Sequence, residues 1–339
     1  MQDLADNPVS HRVRVSGEGR PLLDYLLELL HKIPGDEVRE AIAEGRFRIG
    51  QGPSLTADSI LGAGQLLLAD VPGRNPIDPF LPPPPQRLDE LFRDEHLLAV
   101  CKPAGLLCHP MGTHKVAALS IAARQLQEDG EATELRPLHR LDRETSGVLL
   151  MARNHRADAA VKAQFERRSV SKSYLALVRG RMIPEECLVD APIGADNGPI
   201  RIRMRVHAKG KSASTRLRPL QHFGDADFGE AGAGFTWVEA LPLTGRTHQI
   251  RVHLAHIGHP IVGDKLYCGD GEAFLKKWRG ELSQRDIDEL GLPRQALHAQ
   301  SLALRHPVSG EELRLTAPPA EDLLNFARRH GSQWPTTGS

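Results

Sequence analysis

Apolar residues recur at helical spacing early in the chain. Leu22, Tyr25, Leu26, Leu29 and Leu30 share one face after Gly19-Arg20-Pro21, and proline suits a first helical turn, so a helix is predicted there. A second helix is predicted from Gly35-Asp36 through Val38, Ala41 and Ile42, closed by Gly45. Residues 46–49 and 65–69 read as short strands. Prolines then interrupt the pattern at Pro72, Pro76 and Pro79, and residues 82–85 are consecutive prolines, which predicts a semi-rigid linker. Beyond it, apolar runs predict buried strands at residues 96–101, 148–152, 172–178 and 235–241. A helix is predicted over 114–128 with Val116, Leu119, Ala123 and Leu126 on its face. Asn154 is placed to cap a helix carrying Ala157, Val161 and Phe165. Ile250, Leu254 and Ile257 form the stripe of another, ended by Gly258 and Pro260, and residues 301–305 and 311–316 form a last hairpin. The punctuation divides the chain into a tail (1–10), a small N-terminal domain (11–73), a Pro-rich linker (74–87), a larger domain (88–330) and a tail (331–339).

Length and composition agree with two domains: 339 residues, 40% hydrophobic, support a sizeable core. Lys+Arg and Asp+Glu are both 43, so the formal net charge is zero and any nucleic-acid surface must be a local patch. The densest basic stretch is a predicted hairpin over 201–218, with Arg201, Arg203, Arg205, Lys209, Lys211, Arg216 and Arg218. It suits either a solvated edge or a phosphate-contacting surface. Cys101, Cys108, Cys187 and Cys268 form no Cys-x-x-Cys pair, so no disulfide framework or thiolate zinc site is indicated. The start carries no secretory pattern and no apolar run spans a bilayer, so a cytoplasmic location without membrane attachment is expected.

Three chemistries are poorly supported. His248, His253, His256 and His259 crowd one segment, but no pair is spaced by four and no Glu adjoins them, so no metal is expected. Ser146 lies in Thr-Ser-Gly, not in a nucleophile elbow. No Walker loop or Gly-x-Gly-x-x-Gly appears. What remains is His139-Arg140-Leu141-Asp142-Arg143-Glu144-Thr145-Ser146-Gly147, a charged turn feeding a strand. Taken alone it is also ordinary turn material. Asp142 is a candidate covalent nucleophile or base, and Arg251, three residues after His248 on one side of a helix, is a candidate partner that would keep it ionised. Glu144 is close in sequence, but nothing marks it as a second acid.

His139-Arg140-Leu141-Asp142 with Thr145-Ser146-Gly147 resembles the signature loop of RluA-type pseudouridine synthases. Lys102-Pro103-Ala104-Gly105, Lys172-Ser173-Tyr174, Lys211-Ser212-Ala213-Ser214-Thr215, residues 245–253 and residues 262–267 resemble further motifs of that family, in order from about residue 88 to 320. The N-terminal unit resembles, more weakly, the small α/β RNA-binding domain of many such synthases, departing at Ile49-Gly50-Gln51-Gly52 where the family usually has Val-Asn-Gly. The resemblance implies an α+β fold with a mixed, largely antiparallel sheet flanked by helices. It implies isomerisation of uridine to pseudouridine in RNA without a cofactor, by a monomer. Asp142 would act on the ribose, by attack or by removing a sugar proton. Tyr174 would stack on the uracil and is a candidate to handle a proton at carbon 5, Arg251 would pair with Asp142, and Arg140 would fill the space left by a flipped base. His139, Arg143, Arg246, His248 and Lys102 would contact RNA. Large-subunit ribosomal RNA is the leading substrate class, transfer RNA the second, and a non-catalytic RNA-binding or chaperone protein on the same fold the alternative. The arginines and the 201–218 hairpin are expected to share one face.

Overall fold

The computed structural model describes residues 9–16, 19–29, 35–50, 52–71, 80–110, 116–131, 134–182, 186–198, 200–224 and 234–334. The chain forms two units, Met1–Pro76 and Ile77–Ser339. The smaller holds β1 (Val9–Arg14), β2 (Arg20–Pro21), α1 (Leu22–Leu29), α2 (Gly35–Ala43), β3 (Phe47–Ile49), β4 (Ile60–Leu61) and β5 (Leu66–Val71). Both predicted helices are present, and Leu22, Tyr25, Leu26, Val38 and Ile42 pack with Phe47 and Leu67 into one core. β1 begins inside the stretch expected to be a tail, because its backbone completes the antiparallel order β1-β5-β3. Residues 74–79 of the proposed linker lie outside the described residues, as does most of both proposed tails.

The larger unit follows the order β6 (Asp89–Arg93), β7 (Leu97–Lys102), α3 (Ala118–Glu128), β8 (Arg136–Pro137), β9 (Ser146–Ala152), α4 (His155–Glu166), β10 (Ser171–Arg179), β11 (Cys187–Asp190), β12 (Ile193–Ala195) and β13 (Met204–Val206). It continues with β14 (Ser214–Phe223), β15 (Phe235–Pro242), α5 (Gln249–His256), α6 (Glu272–Arg279), α7 (Gln284–Leu290), β16 (Leu297–Arg305), β17 (Glu312–Thr316) and α8 (Glu321–Arg329). Among the described residues a ten-stranded sheet runs β11-β14-β15-β10-β16-β9-β7-β6, with β17 on β16 and β8 on β9. It is an α+β architecture: a mixed, largely antiparallel sheet with helices against it. β9 beside β16 is its one parallel pair among the described residues, at His298↔Ser146 and Ala299↔Gly147.

The apolar runs are buried on both faces for a visible reason. Alternate residues of β7 and β9 enter different cores: Leu98, Val100, Leu149 and Met151 pack with α3, whereas Leu97, Ala99, Val148 and Leu150 pack with Ala157 and Val161 of α4. Asn154 caps α4, accepting from the Ala157 N–H at 2.9 Å. The face of α3 differs from the expected one. Val116 is exposed, and Ala118, Ile121, Ala122, Gln125 and Leu126 are buried. The polar Gln125 belongs there because it bonds both the N–H and the C=O of Leu88, at 2.8 and 3.0 Å. The basic 201–218 segment is not one hairpin: β13 pairs with β12, and β14 lies between β11 and β15.

Candidate active site

The signature loop leaves β8, turns at residues 142–145 through a Thr145 N–H to Asp142 C=O bond of 3.1 Å, and enters β9. Lys102, at the end of β7, braces it. Its side chain is fully buried, and Nζ donates to the carbonyls of Pro103, Leu106 and Arg143 at 2.8, 2.8 and 3.1 Å. Burial pushes that ammonium down to about 7, and the carbonyl dipoles offset the cost. The Cys108 sulfur meets the N–H and C=O of Leu141, which pins the residue before Asp142. The next carboxylate is tied away: Glu144 binds Lys265 at 3.2 Å and Lys277 at 2.5 Å. Burial opposes its charge, but the two ammonium groups hold it down at about 2.

Arg251 joins the two sides of the site. Its side chain is 7% exposed, and it shares its guanidinium between two carboxylates. Nε and Nη2 bind Asp264 Oδ2 and Oδ1 at 2.7 and 2.8 Å, a bidentate fork. Nη1 donates to Asp142 Oδ2 at 2.9 Å. Asp264 is fully buried and also accepts from the N–H groups of Leu266 and Tyr267. Burial disfavours the Arg251 cation, yet Asp264 and then Asp142 raise it well above its ordinary value. Burial likewise opposes the Asp142 charge, and Arg251 outweighs it, holding the carboxyl below its usual range. The Asp142 side chain remains 31% exposed, so a reactant can reach it.

Tyr174 faces this carboxylate from β10, where the register slips between Ser173 and Tyr174. Such a bulge re-aims a side chain. Burial, then Asp142 and Cys108, raises the phenol well above its ordinary value, so the hydroxyl stays protonated. His248 precedes α5 in a left-handed conformation, φ +56°, and its Nδ1 meets the Tyr267 hydroxyl at 2.9 Å. Burial and then Arg251 keep the imidazole neutral. The Tyr267 ring lies 5.0 Å from the Arg251 guanidinium carbon, a cation–π contact. Gln295 donates to Thr145 Oγ1 at 2.6 Å and reaches Asp142 Oδ2 at 3.5 Å.

These groups line one cleft of about 1260 Å³, with Arg140, Asp142, Tyr174, Arg246, His248 and Arg251 together on its wall. Arg140 is exposed and has no acceptor among the described residues. Arg246 Nε donates to the Ser212 carbonyl at 2.9 Å. Three expected RNA contacts do not hold. Lys102 is sealed beneath the loop. Arg143 turns back, Nε donating to the Gly105 carbonyl at 2.9 Å, and is absent from the cleft wall. His139 borders the cleft, but its Nε2 accepts from the Leu150 N–H at 3.1 Å and burial pushes it down to about 4, so it is a neutral brace. The 201–218 segment lies off the cleft wall and meets acids: Arg203 and Arg205 face Asp196, Arg216 faces Glu186 and Arg218 faces Glu239. The crowded histidines disperse, His253 between Thr215 and the Ala191 carbonyl and His259 on the Arg179 carbonyl. Asp264 and Gln295 were missed as site residues. The Gly-Asp-Lys motif was visible in the sequence, but nothing local assigned Asp264 a partner.

Comparison with known proteins places this geometry among relatives. The family model for RNA pseudouridylate synthase matches residues 96–256. The chain is 34% identical over 335 residues to ribosomal large subunit pseudouridine synthase D of Xanthomonas campestris pv. campestris, covering 95% of this chain and 94% of that one. It is 37% identical over 238 residues to the synthase D of Pseudomonas aeruginosa, covering 70% of each. Among solved structures, human RNA Pseudouridylate Synthase Domain Containing 1 aligns with a TM-score of 0.55 at 27% identity, over 76% of this chain and 94% of that one.

Proposed function

The chain belongs to the RluA-type family of RNA pseudouridine synthases, and on that premise we propose that it isomerises uridine in large-subunit ribosomal RNA with Asp142 as the reacting carboxylate. The relatives named for the large ribosomal subunit support that substrate class. The observation that carries the catalytic assignment is the shared guanidinium: Arg251, anchored by Asp264, holds an ionised yet reachable Asp142 at 2.9 Å.

An ionised carboxylate serves either route at the ribose, attack on carbon 1′ or removal of the sugar proton. The N1–carbon 1′ bond breaks, the uracil turns over, carbon 5 bonds to carbon 1′ and gives up its proton, and N1 takes up a proton, so the atoms balance. Tyr174, kept protonated, packs on the uracil ring and offers an O–H rather than a phenolate base. Arg140, exposed on the cleft wall, occupies the place of the extruded base. Arg246 and His248 steer the strand from the opposite rim. The proposed residues all come from one chain, and a monomer is the acting unit we propose. The reading is tested with Asp142→Asn. Pseudouridine formation on unmodified large-subunit ribosomal RNA transcripts should fall at least about 10³-fold, with RNA affinity close to wild type. Wild-type protein that forms no pseudouridine on these or on transfer RNA transcripts refutes the enzyme reading.

A further inference from the structure

The turn after α4 and the start of β10 carry two cations, Arg168 and Lys172, that the chemistry above leaves unused. Arg168 and Lys172 both line the cleft. Among the described residues neither has an ion-pair or hydrogen-bonding partner for its side chain, and Glu166, which also reaches the cleft, binds neither. Lys172 is half-buried, and desolvation pushes its ammonium down with no carboxylate to offset it. Its Nζ lies beside the Gly245 backbone on the opposite rim, 3.8 Å from where a Cβ would stand. A cation held there without a counter-charge is poised for an anionic ligand.

Arg168 adds an independent observation. α4 ends with Arg167 as its cap, the Arg168 N–H bonds the Phe165 carbonyl at 3.1 Å, and the Ser169 N–H bonds the Gln164 carbonyl at 3.0 Å. This closing turn normally takes glycine in the left-handed conformation. The chain puts Arg168 there at φ +57°, with its side chain exposed at the cleft. A strained position that carries a guanidinium instead of glycine points to a task for the guanidinium.

We propose that Arg168 and Lys172 form a phosphate-binding site for the RNA strand flanking the target nucleotide. This deepens the proposed function and rests on it. Lys172 precedes Tyr174 by two residues on the same strand, about 7 Å along it. A base packed on Tyr174 therefore brings an adjoining phosphodiester to Lys172, and the next phosphate outward meets Arg168 at the rim. Phosphodiester oxygens are the anions that a uridine in RNA supplies at this spacing.

The test uses the full chain, unmodified large-subunit ribosomal RNA transcript for activity, and a labelled fragment spanning the modified uridine for binding at several salt concentrations. Arg168→Gly should raise the thermal midpoint by about 2 °C while weakening RNA binding several-fold. Its slope of log affinity against log salt should be shallower by about 0.7 for the lost contact. Lys172→Gln should lose a similar slope, the double variant about twice as much, and Lys172→Arg should restore it. The loss should fall on KM more than on kcat. Because Arg168→Gly is expected to be the more stable protein, misfolding cannot mimic its result. Wild-type slopes in Arg168→Gly and Lys172→Gln, with wild-type protein forming pseudouridine, overturn this inference and leave the function standing. Wild-type protein that neither binds nor modifies the transcript overturns both.

Discussion

Arg251 is the residue on which the site depends, and Asp264 is what makes it rigid. Two of its N–H groups are spent on a fully buried carboxylate and a third on Asp142. Asp264→Asn should therefore leave a buried guanidinium under-compensated, lowering stability by about 3 kcal/mol in a denaturant titration. It should reduce kcat at least about 10-fold while RNA affinity stays near wild type, because the group it misplaces is the one proposed to act on the ribose. Two imidazoles shielded from solvent predict that stability falls in acid. His139 and His298 both lie near 4 in the folded chain, against an ordinary 6.5, because burial disfavours their cations. The unfolded chain binds more protons between those limits, so their stabilisation is complete above about pH 6.5 and lost as pH falls toward 4. Thermal midpoints at pH 7.5 and 5 should fall in that order. At this scale the sequence was legible where chemistry is rare. Asp142 looked like ordinary turn material until it was read together with the Tyr174 strand and the Arg251 helix, and the structure joins Arg251 to it at 2.9 Å; Lys102 and His139 resembled RNA contacts because a local pattern does not reveal whether a cation lies under its loop or above it.

Among the elements, the seam between β9 and β16 ties the strand that follows the signature loop to the rest of the sheet. Gly147 lies at φ +113°, and a Cβ there would stand 2.2 Å from the Ala299 carbonyl oxygen. Gly147→Ala should accordingly cost more than about 3 kcal/mol, since backbone on both sides of the seam must part. Gly258→Ala is the control: its φ is +85° but no atom lies within 4 Å, so only conformational strain of about 1 kcal/mol is expected. Unfolding midpoints in urea separate the two. Elements with a strong period were legible, among them α1, α4 and the buried strands. The misplaced face of α3 and the supposed basic hairpin were not, because Gln125 answers to Leu88, 37 residues away, and β14 pairs with β11 and β15 instead of with β13.

For the whole molecule, a formal charge of zero means that RNA affinity must come from local patches of cations, and we propose that the cleft is the main one. The acids facing Arg203, Arg205, Arg216 and Arg218 reinforce that conclusion. We propose that the Met1–Pro76 unit adds a further RNA contact. Deleting residues 1–76 should weaken binding to ribosomal RNA transcript while leaving kcat at saturating RNA within about 3-fold of wild type, read by single-turnover assay. The order of the large sheet was not legible in the sequence, since strand order is set by crossovers that no local pattern records.

That order has a consequence for how the protein is made. β16 lies between β10 and β9, so this strand joins the half-sheet bearing Tyr174 to the half-sheet bearing the Asp142 loop, both of which precede it in the chain. A nascent chain halted at residue 296 has both halves and no strand to unite them. The two sides of the site therefore share one sheet only once β16 has been made and paired.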